Sequence, residues 1–374
     1  MKIETLSVHV GRAVDAATGA VVPPLHLSTT FERAVDGSYP NGYVYTRPAN
    51  PTRLELEACL AALEGGADAL AFSSGSAASA TVFALLRPGD RVVAPRESYH
   101  GTAKQLRDMI APLGVEVVFA DLTSDAAVRD ALSRPTRLVW VETPSNPMLN
   151  VSDIAAIVAL ARAQGALVCV DSTFGTPLLQ RPLALGADLV MHSTTKYLAG
   201  HSDVLGGALI TREAGALAAQ LRDLQATAGA VPSPFDCFLL RRSLTTFPWR
   251  MRAQTDNALR IATFLSTHHE VARTYYPGLA GHPGHTVAAR QMQGGFGAMV
   301  SFCVHGGREE ALGVAGRLKL FTRATSLGGV ESLVEHRASI EGPHTVTPET
   351  LLRLSIGLEH ADDLIADLAQ GLEG

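Results

Sequence analysis

One lysine, Lys196, closes the run Ser193-Thr194-Thr195-Lys196, which follows a short apolar stretch, Asp188 to Met191, of the length and composition of a buried strand. In an open α/β sheet, ligands gather at the carboxyl ends of strands, so three hydroxyls and an amine here would face one crevice. Gly200, Gly206 and Gly207 leave room around them. A lysine in such a place suits a Schiff base with a phosphorylated aldehyde cofactor. The competing reading of this stretch alone is a surface lysine on a loop.

Other residues with chemical potential also stand just after apolar runs. Ser74-Gly75-Ser76 is a small-residue turn into an Ala-rich segment, either a phosphate-binding helix N-terminus or an ordinary strand–helix turn. Tyr99 is placed to stack on a planar group or to pack, and Lys104 to hold an anion or to sit in solvent. Asn146 lies in a loop stiffened by Pro144 and Pro147. Asp171 interrupts an apolar run, where a carboxylate needs a partner: a protonated pyridine nitrogen, or the N–H groups of a helix it caps. Arg353, inside the apolar pattern of 351–355, needs a carboxylate for its fork, either an internal Asp or Glu or the α-carboxylate of an amino acid. Tyr45 and Arg47 together suit an anion site or plain packing.

Apolar runs at 68–72, 91–95, 116–120, 138–142, 167–171, 188–192 and 206–211 alternate with helix-like segments, which predicts a mostly parallel seven-stranded α/β sheet covered on both faces. A helix is expected after Asn50-Pro51-Thr52, ending at Gly65-Gly66. Residues 1–48, rich in proline and poor in periodicity, read as an extended N-terminal arm, 49–230 as the large domain, and 231–374 as a smaller α+β C-terminal domain. Within the latter, 238–265 is expected to be one helix kinked or interrupted at Pro248, with strands at 295–302 and 351–355 and helices at 309–317 and 362–372.

The chain has 374 residues, 47% hydrophobic and 18% charged, with a net charge of −5. This balance gives no general attraction to nucleic acid or an anionic membrane. Four scattered cysteines make neither a disulfide framework nor a zinc ribbon, and no metal site is expected. Met1 to Arg12 hold no apolar core of signal-peptide length, and no stretch approaches membrane-spanning length, so the expected location is the cytoplasm.

Taken in order, Tyr45-x-Arg47, Asn50-Pro51-Thr52, Glu142-Thr143-Pro144-Ser145-Asn146-Pro147, Asp171-x-Thr173-Phe174, Ser193-Thr194-Thr195-Lys196-Tyr197 and Ser326-Leu327-Gly328-Gly329 resemble the Cys/Met-metabolism, or trans-sulfuration, family of fold type I pyridoxal-phosphate enzymes. The resemblance covers nearly the whole chain. It implies that Lys196 carries pyridoxal 5'-phosphate and moves protons, Asp171 pairs with the ring nitrogen and Tyr99 stacks on the ring, with Thr173 and Asn146 among the cofactor's neighbours. Gly75, Ser76, Ser193 and Thr195 would hold the phosphate, joined across subunits of a homotetramer by Tyr45 and Arg47. Ser326 and Arg353 would hold a small amino-acid substrate's carboxylate, with Thr325 and Lys104 toward its far end.

The implied reaction is γ-substitution or γ-elimination on a homoserine- or cystathionine-like amino acid, of cystathionine γ-synthase or γ-lyase type. The alternatives are an O-acylhomoserine sulfhydrylase, a γ-substitution enzyme of specialised metabolism, or a non-catalytic cofactor-binding scaffold. Several positions depart from the family pattern: Thr325 replaces a usual Glu, Gly101 a marker Cys, Lys104 a common Arg, Ser76 a frequent Met and Arg337 a frequent Pro. Arg337 is either an extra cation near the substrate entrance or part of a surface salt bridge.

Overall fold

The structure, a computed structural model, describes residues 1–342 and 345–374. Strands β1 (Asp68–Phe72), β2 (Arg91–Pro95), β3 (Glu116–Ala120), β4 (Leu138–Glu142), β5 (Leu167–Asp171), β6 (Leu189–His192) and β7 (Gly207–Thr211) form one sheet in the order β1-β7-β6-β5-β4-β2-β3. Only β7 runs antiparallel to its neighbours. Apart from the edge strand β3, which is only half-buried, the strands read as continuous apolar runs because both faces are covered. Leu70, Phe72, Trp140 and Leu189 pack on one side, while Val139, Val141, Val168 and Val170 pack on the other.

The parallel arrangement delivers the ends of β1, β2, β4, β5 and β6 to one edge. There the chain continues into Ser74–Ser76, Tyr99, Asn146, Asp171–Thr173 and Ser193–Lys196, so one sheet edge carries most of the chemistry.

A second sheet faces that edge. It contains β8 (Val271–Tyr275), β9 (Met299–Val304), β10 (Thr322–Arg323), β11 (Leu333–His336) and β12 (Leu351–Ser355), in the order β10-β11-β12-β9-β8 and antiparallel except for the β10–β11 pair. One apolar cluster runs from Leu56 and Ile210 through Met251 and Ile261 to Phe302, Leu354 and Leu368, fastening the two sheets to a shared core.

Two expectations change. The segment 238–265 is two helices, Pro234–Leu244 and Phe247–Thr267, separated at Thr245 and Thr246. Pro248 sits in the first turn of the second helix, where its missing N–H costs nothing, so it starts a helix rather than kinking one. The arm is not extended throughout, since Ile3–His9 is helical. That seven-residue helix is held by Arg241, which donates to the carbonyls of Ser7 at 3.0 Å, Val8 at 3.2 Å and Val10 at 2.6 Å. No helix among the described residues is long and apolar enough to cross a membrane.

The start of β7 lies against the turn after β1 so closely that a Cβ on Gly207 would stand 2.3 Å from the Ser74 carbonyl oxygen and 2.9 Å from Gly75 Cα. Both neighbours are backbone and cannot rotate away. Gly207→Ala is therefore expected to lower stability by about 1–3 kcal/mol through overpacking, measured by denaturant titration; an unchanged midpoint would contradict this account.

Candidate active site

The two sheets enclose a cavity of about 200 Å³. From the first sheet it is reached by Gly75, Ser76, Tyr99, Asn146, Asp171, Thr173, Ser193, Thr195 and Lys196; from the second side come Thr325, Ser326, Arg337 and Arg353. Lys196 Nζ donates to Ser326 Oγ at 2.8 Å. Burial pushes the ammonium's pKa down to about 8, and the nearby positive charge of Arg353 adds to the effect. Ser326 adopts φ +90°, a left-handed conformation uncommon outside glycine. That turn lets its hydroxyl meet Lys196 while its carbonyl accepts from Arg353 Nη2 at 2.8 Å.

Asp171, at the end of β5, is buried and accepts from Thr173 N at 3.0 Å and Thr173 Oγ1 at 2.6 Å, both on Oδ1. Among the described residues, Oδ2 receives no hydrogen bond. Burial raises its pKa, partly offset by the Thr173 bonds. Beside it in register on β4 is Glu142, wholly enclosed, whose pKa is held well above the usual carboxylate range by burial and then by the charge of Asp171. Glu142 accepts the backbone N–H groups of Tyr99 at 2.8 Å and Asn146 at 3.0 Å, tying both loops to the strand end.

The Gly75–Phe83 helix begins at the cavity, capped by Ser74, whose hydroxyl accepts from Ala77 N. Among the described residues, the Gly75 and Ser76 N–H groups have no partner. A Cβ on Gly75 would stand 2.9 Å from Ser193 Cβ, so glycine is required for this cradle. Ser193 is positioned by its N–H bond to Thr173 Oγ1 at 2.9 Å. Thr195 braces the β7 side, its hydroxyl donating to Gly206 O at 3.1 Å. A group with an anionic end and a cationic ring nitrogen fits these features: free amides and a hydroxyl at one end, a buried carboxylate with one oxygen lacking a donor at the other, and the amine of Lys196 in the same cavity.

Arg353, on β12, is buried and forks to Asn146 Oδ1 at 2.9 Å and to Glu335 Oε2 at 2.5 Å. Among the described residues its buried Nε–H has no acceptor, and such an orphan in a cavity-lining cation points to an anionic ligand. Glu335 also accepts from Arg337 Nη1 at 3.1 Å, so it bridges two guanidinium groups. Arg337 is buried, pairs further with Glu341 at 2.9 Å, and approaches His100 Nδ1 at 3.4 Å. It is thus a cation in the cavity wall, not a surface salt bridge.

Tyr45, Arg47 and Lys104 stand apart from this cavity. Tyr45 is exposed, and Arg47 donates to Ala226 O at 2.5 Å. Lys104 lines a neighbouring cavity and pairs with Asp108. Gly101 is needed beside Tyr99, since a Cβ there would meet the Tyr99 ring at 2.4 Å. Glu142, Glu335 and His100 were not expected as site residues. Glu142 could have been found as the acid ending an apolar strand, like Asp171, whereas Glu335 and His100 carry no local signal.

A lysine at the cavity centre, with a strand-end carboxylate and a helix N-terminus on either side, is the layout of a fold type I pyridoxal-phosphate enzyme. Residues 4–373 match the model of the Cys/Met metabolism PLP-dependent enzymes, and the chain belongs to that family. It is 47% identical to cystathionine gamma-synthase of Mycobacterium tuberculosis, over 98% of this chain and 96% of that protein. It is 44% identical to cystathionine gamma-lyase of Dictyostelium discoideum, over 100% and 98%. The crystal structure of cystathionine gamma synthase from Xanthomonas oryzae pv. oryzae in complex with aminoacrylate and cysteine superposes with a TM-score of 0.96 at 44% identity, covering 100% of this chain and 98% of that one.

Only the neutral amine attacks an aldehyde, so reloading of the cofactor-free protein with pyridoxal phosphate is expected to accelerate as pH rises through about 8 and to level off above it. Arg353→Met removes one source of the depression and moves the rise to higher pH. Stopped-flow absorbance measures both; a rate that keeps rising well above pH 8 without levelling off would show that Lys196 is not depressed.

Proposed function

We propose that the protein binds pyridoxal 5'-phosphate on Lys196 and catalyses γ-substitution or γ-elimination on a homoserine- or cystathionine-like amino acid. The observation that carries this reading is the amine of Lys196, 2.8 Å from Ser326 Oγ, between the buried carboxylate of Asp171 and the incompletely satisfied guanidinium of Arg353. The names of its relatives support the γ-chemistry. When bound, the cofactor supplies an electron sink for carbanions at the α and β carbons.

The chain's own residues do the rest. Asp171 would hold the ring nitrogen protonated, because an opposite charge offsets the part of its burial that the Thr173 bonds leave. Gly75 and Ser76 amides, with Ser193, take the phosphate. Tyr99 would stack on the ring, while Thr173 and Thr195 hold the loops of the cavity through their bonds to Asp171, Ser193 and Gly206. Arg353 and the Ser326 turn orient the substrate carboxylate, and Asn146, held by Arg353 and Glu142, buttresses them. Lys196, with a pKa near 8, can take a proton at one carbon and return it at another without a large penalty in either state.

The assembly belongs to the same proposal: a cytoplasmic homotetramer, with 1–48 as an arm, 49–230 holding the cofactor and 231–374 closing over the substrate. The exposure of Val21, Val22, Leu27, Val35, Val44 and Tyr45 along the arm supports a role between subunits. There Tyr45 and Arg47 would serve a neighbour's phosphate.

The purified holoprotein is expected to be yellow, and Lys196→Ala to lose the visible band together with about 10²–10⁴-fold in turnover. Incubation with O-succinyl- or O-acetylhomoserine, with and without cysteine, and separately with cystathionine distinguishes substitution from elimination by the products. Reaction with β-substituted substrates such as cystine alone would overturn the γ-chemistry reading.

A further inference from the structure

His100 stands where the main cavity meets the neighbouring one, and it lines both. Its ring lies edge-on to Tyr99, with centroids 4.7 Å apart. Across the opening, Arg337 Nη2 approaches His100 Nδ1 at 3.4 Å in hydrogen-bonding geometry. A guanidinium has donors only, so the Nδ1 it faces must be the bare, accepting nitrogen. In the neutral ring the proton is then on Nε2, which has no partner among the described residues. Arg337 is itself immobilised by Glu335 and Glu341, and Glu341 is further held by the hydroxyls of Thr345 and Thr347, each at 2.6 Å. The tautomer is thus imposed by a buried ion cluster rather than by a flexible contact.

Lys196 and Arg353 occupy the end of the cavity suited to a substrate's amino and carboxylate groups, so the side chain of that substrate runs toward His100. We propose that His100, presented as its Nε2–H tautomer by Arg337, is a specificity-determining donor that recognises an acceptor oxygen on the γ-substituent. The favoured substrates are then oxygen esters of the homoserine type. A thioether sulfur is a weak acceptor and gains little from the same N–H. Arg337 is the positioning residue and acts through His100. The inference rests on the γ-chemistry reading above and adds to it a preference set by two residues outside the cofactor machinery.

Holoenzyme variants test it. O-acetylhomoserine is compared with S-ethylhomocysteine, of similar length but lacking an acceptor oxygen in its side chain, used as substrate or, if not turned over, as competitive inhibitor. His100→Phe keeps an aromatic ring on an exposed position and removes the donor. It is expected to reduce the preference for the ester about 5- to 10-fold, while leaving the visible cofactor band intact. His100→Gln places an amide N–H near the same point and should restore most of the preference. Arg337→Met should lower the preference in the parent enzyme but cause no further loss in the His100→Phe background.

A readout independent of turnover is ¹⁵N NMR of histidine-labelled holoenzyme at pH 8, with the His100 signal identified by its loss in His100→Gln. The Nε2–H form is expected in the parent and a mixture of tautomers in Arg337→Met. An Nδ1–H form in the parent, or an unchanged preference in His100→Phe, would overturn the inference while leaving γ-chemistry standing. Failure of the parent enzyme to act on or bind either γ-substituted compound would overturn the γ-chemistry reading, and this inference with it.

Discussion

The contact between Lys196 Nζ and Ser326 Oγ is where the two sheets meet chemically. Lys196 comes from the end of β6 and Ser326 from the turn between β10 and β11. The same serine's carbonyl accepts from Arg353 on β12. A single residue in a left-handed conformation therefore couples the amine of one sheet to the guanidinium of the other. The packed core behind it, continuous through Met251, Ile261 and Leu354, fixes the separation of the sheets and hence that contact. Such rigidity makes proton transfer at Lys196 a matter of small motions of one side chain.

Electrostatics at this junction is arranged in separate compartments. Asp171 and Glu142 are adjacent acids beneath the cavity floor, and they are costly to ionise together. Glu142 is relieved by two backbone N–H groups, whereas Asp171 keeps an oxygen without a donor. A cationic ligand beside Asp171 thus lowers the free energy of the site, which means the apoprotein stores part of the binding drive in a buried carboxylate that the Thr173 bonds satisfy on one oxygen. On the opposite wall the order is reversed: one acid, Glu335, is shared by two cations, Arg337 at 3.1 Å and Arg353 at 2.5 Å. Arg353 keeps an Nε–H without an acceptor among the described residues, and its pKa is lowered to about 10 by burial and then by the charge of Arg337.

The sequence made the first sheet legible because parallel strands buried on both faces cannot avoid continuous apolar runs; all seven lie where those runs are. The second sheet was harder. β12 has the same kind of run, but β8 is an edge strand with an exposed middle, and β11 contains Glu335 and His336, polar residues buried by ion pairs and hydrogen bonds that break the apolar pattern. The Ile3–His9 helix is too short to announce itself by periodicity and exists because Arg241 takes its carbonyls. Lys196, Asp171, Ser193 and Arg353 were legible from their places beside or within apolar runs. His100 and Arg337, separated by 237 positions, meet only in the fold, and nothing local to either residue announces the other.

Arg337 shows why a substitution at a cavity wall need not add net charge to the cavity. Burying a guanidinium alone would be prohibitive, and burying it beside Arg353 more so. Glu335 and Glu341 make the group of two arginines and two glutamates formally neutral. What the cluster then offers a ligand is direction rather than charge: N–H vectors locked toward Asn146, Ser326 and His100. Because the acids are already engaged, an incoming carboxylate competes with Glu335 for Arg353 only where the orphaned Nε–H supplies an extra donor. Recognition at this wall accordingly depends on geometry that neutral partners have fixed in advance, and the identity of the far-end donor, not the summed charge, separates one γ-substituent from another.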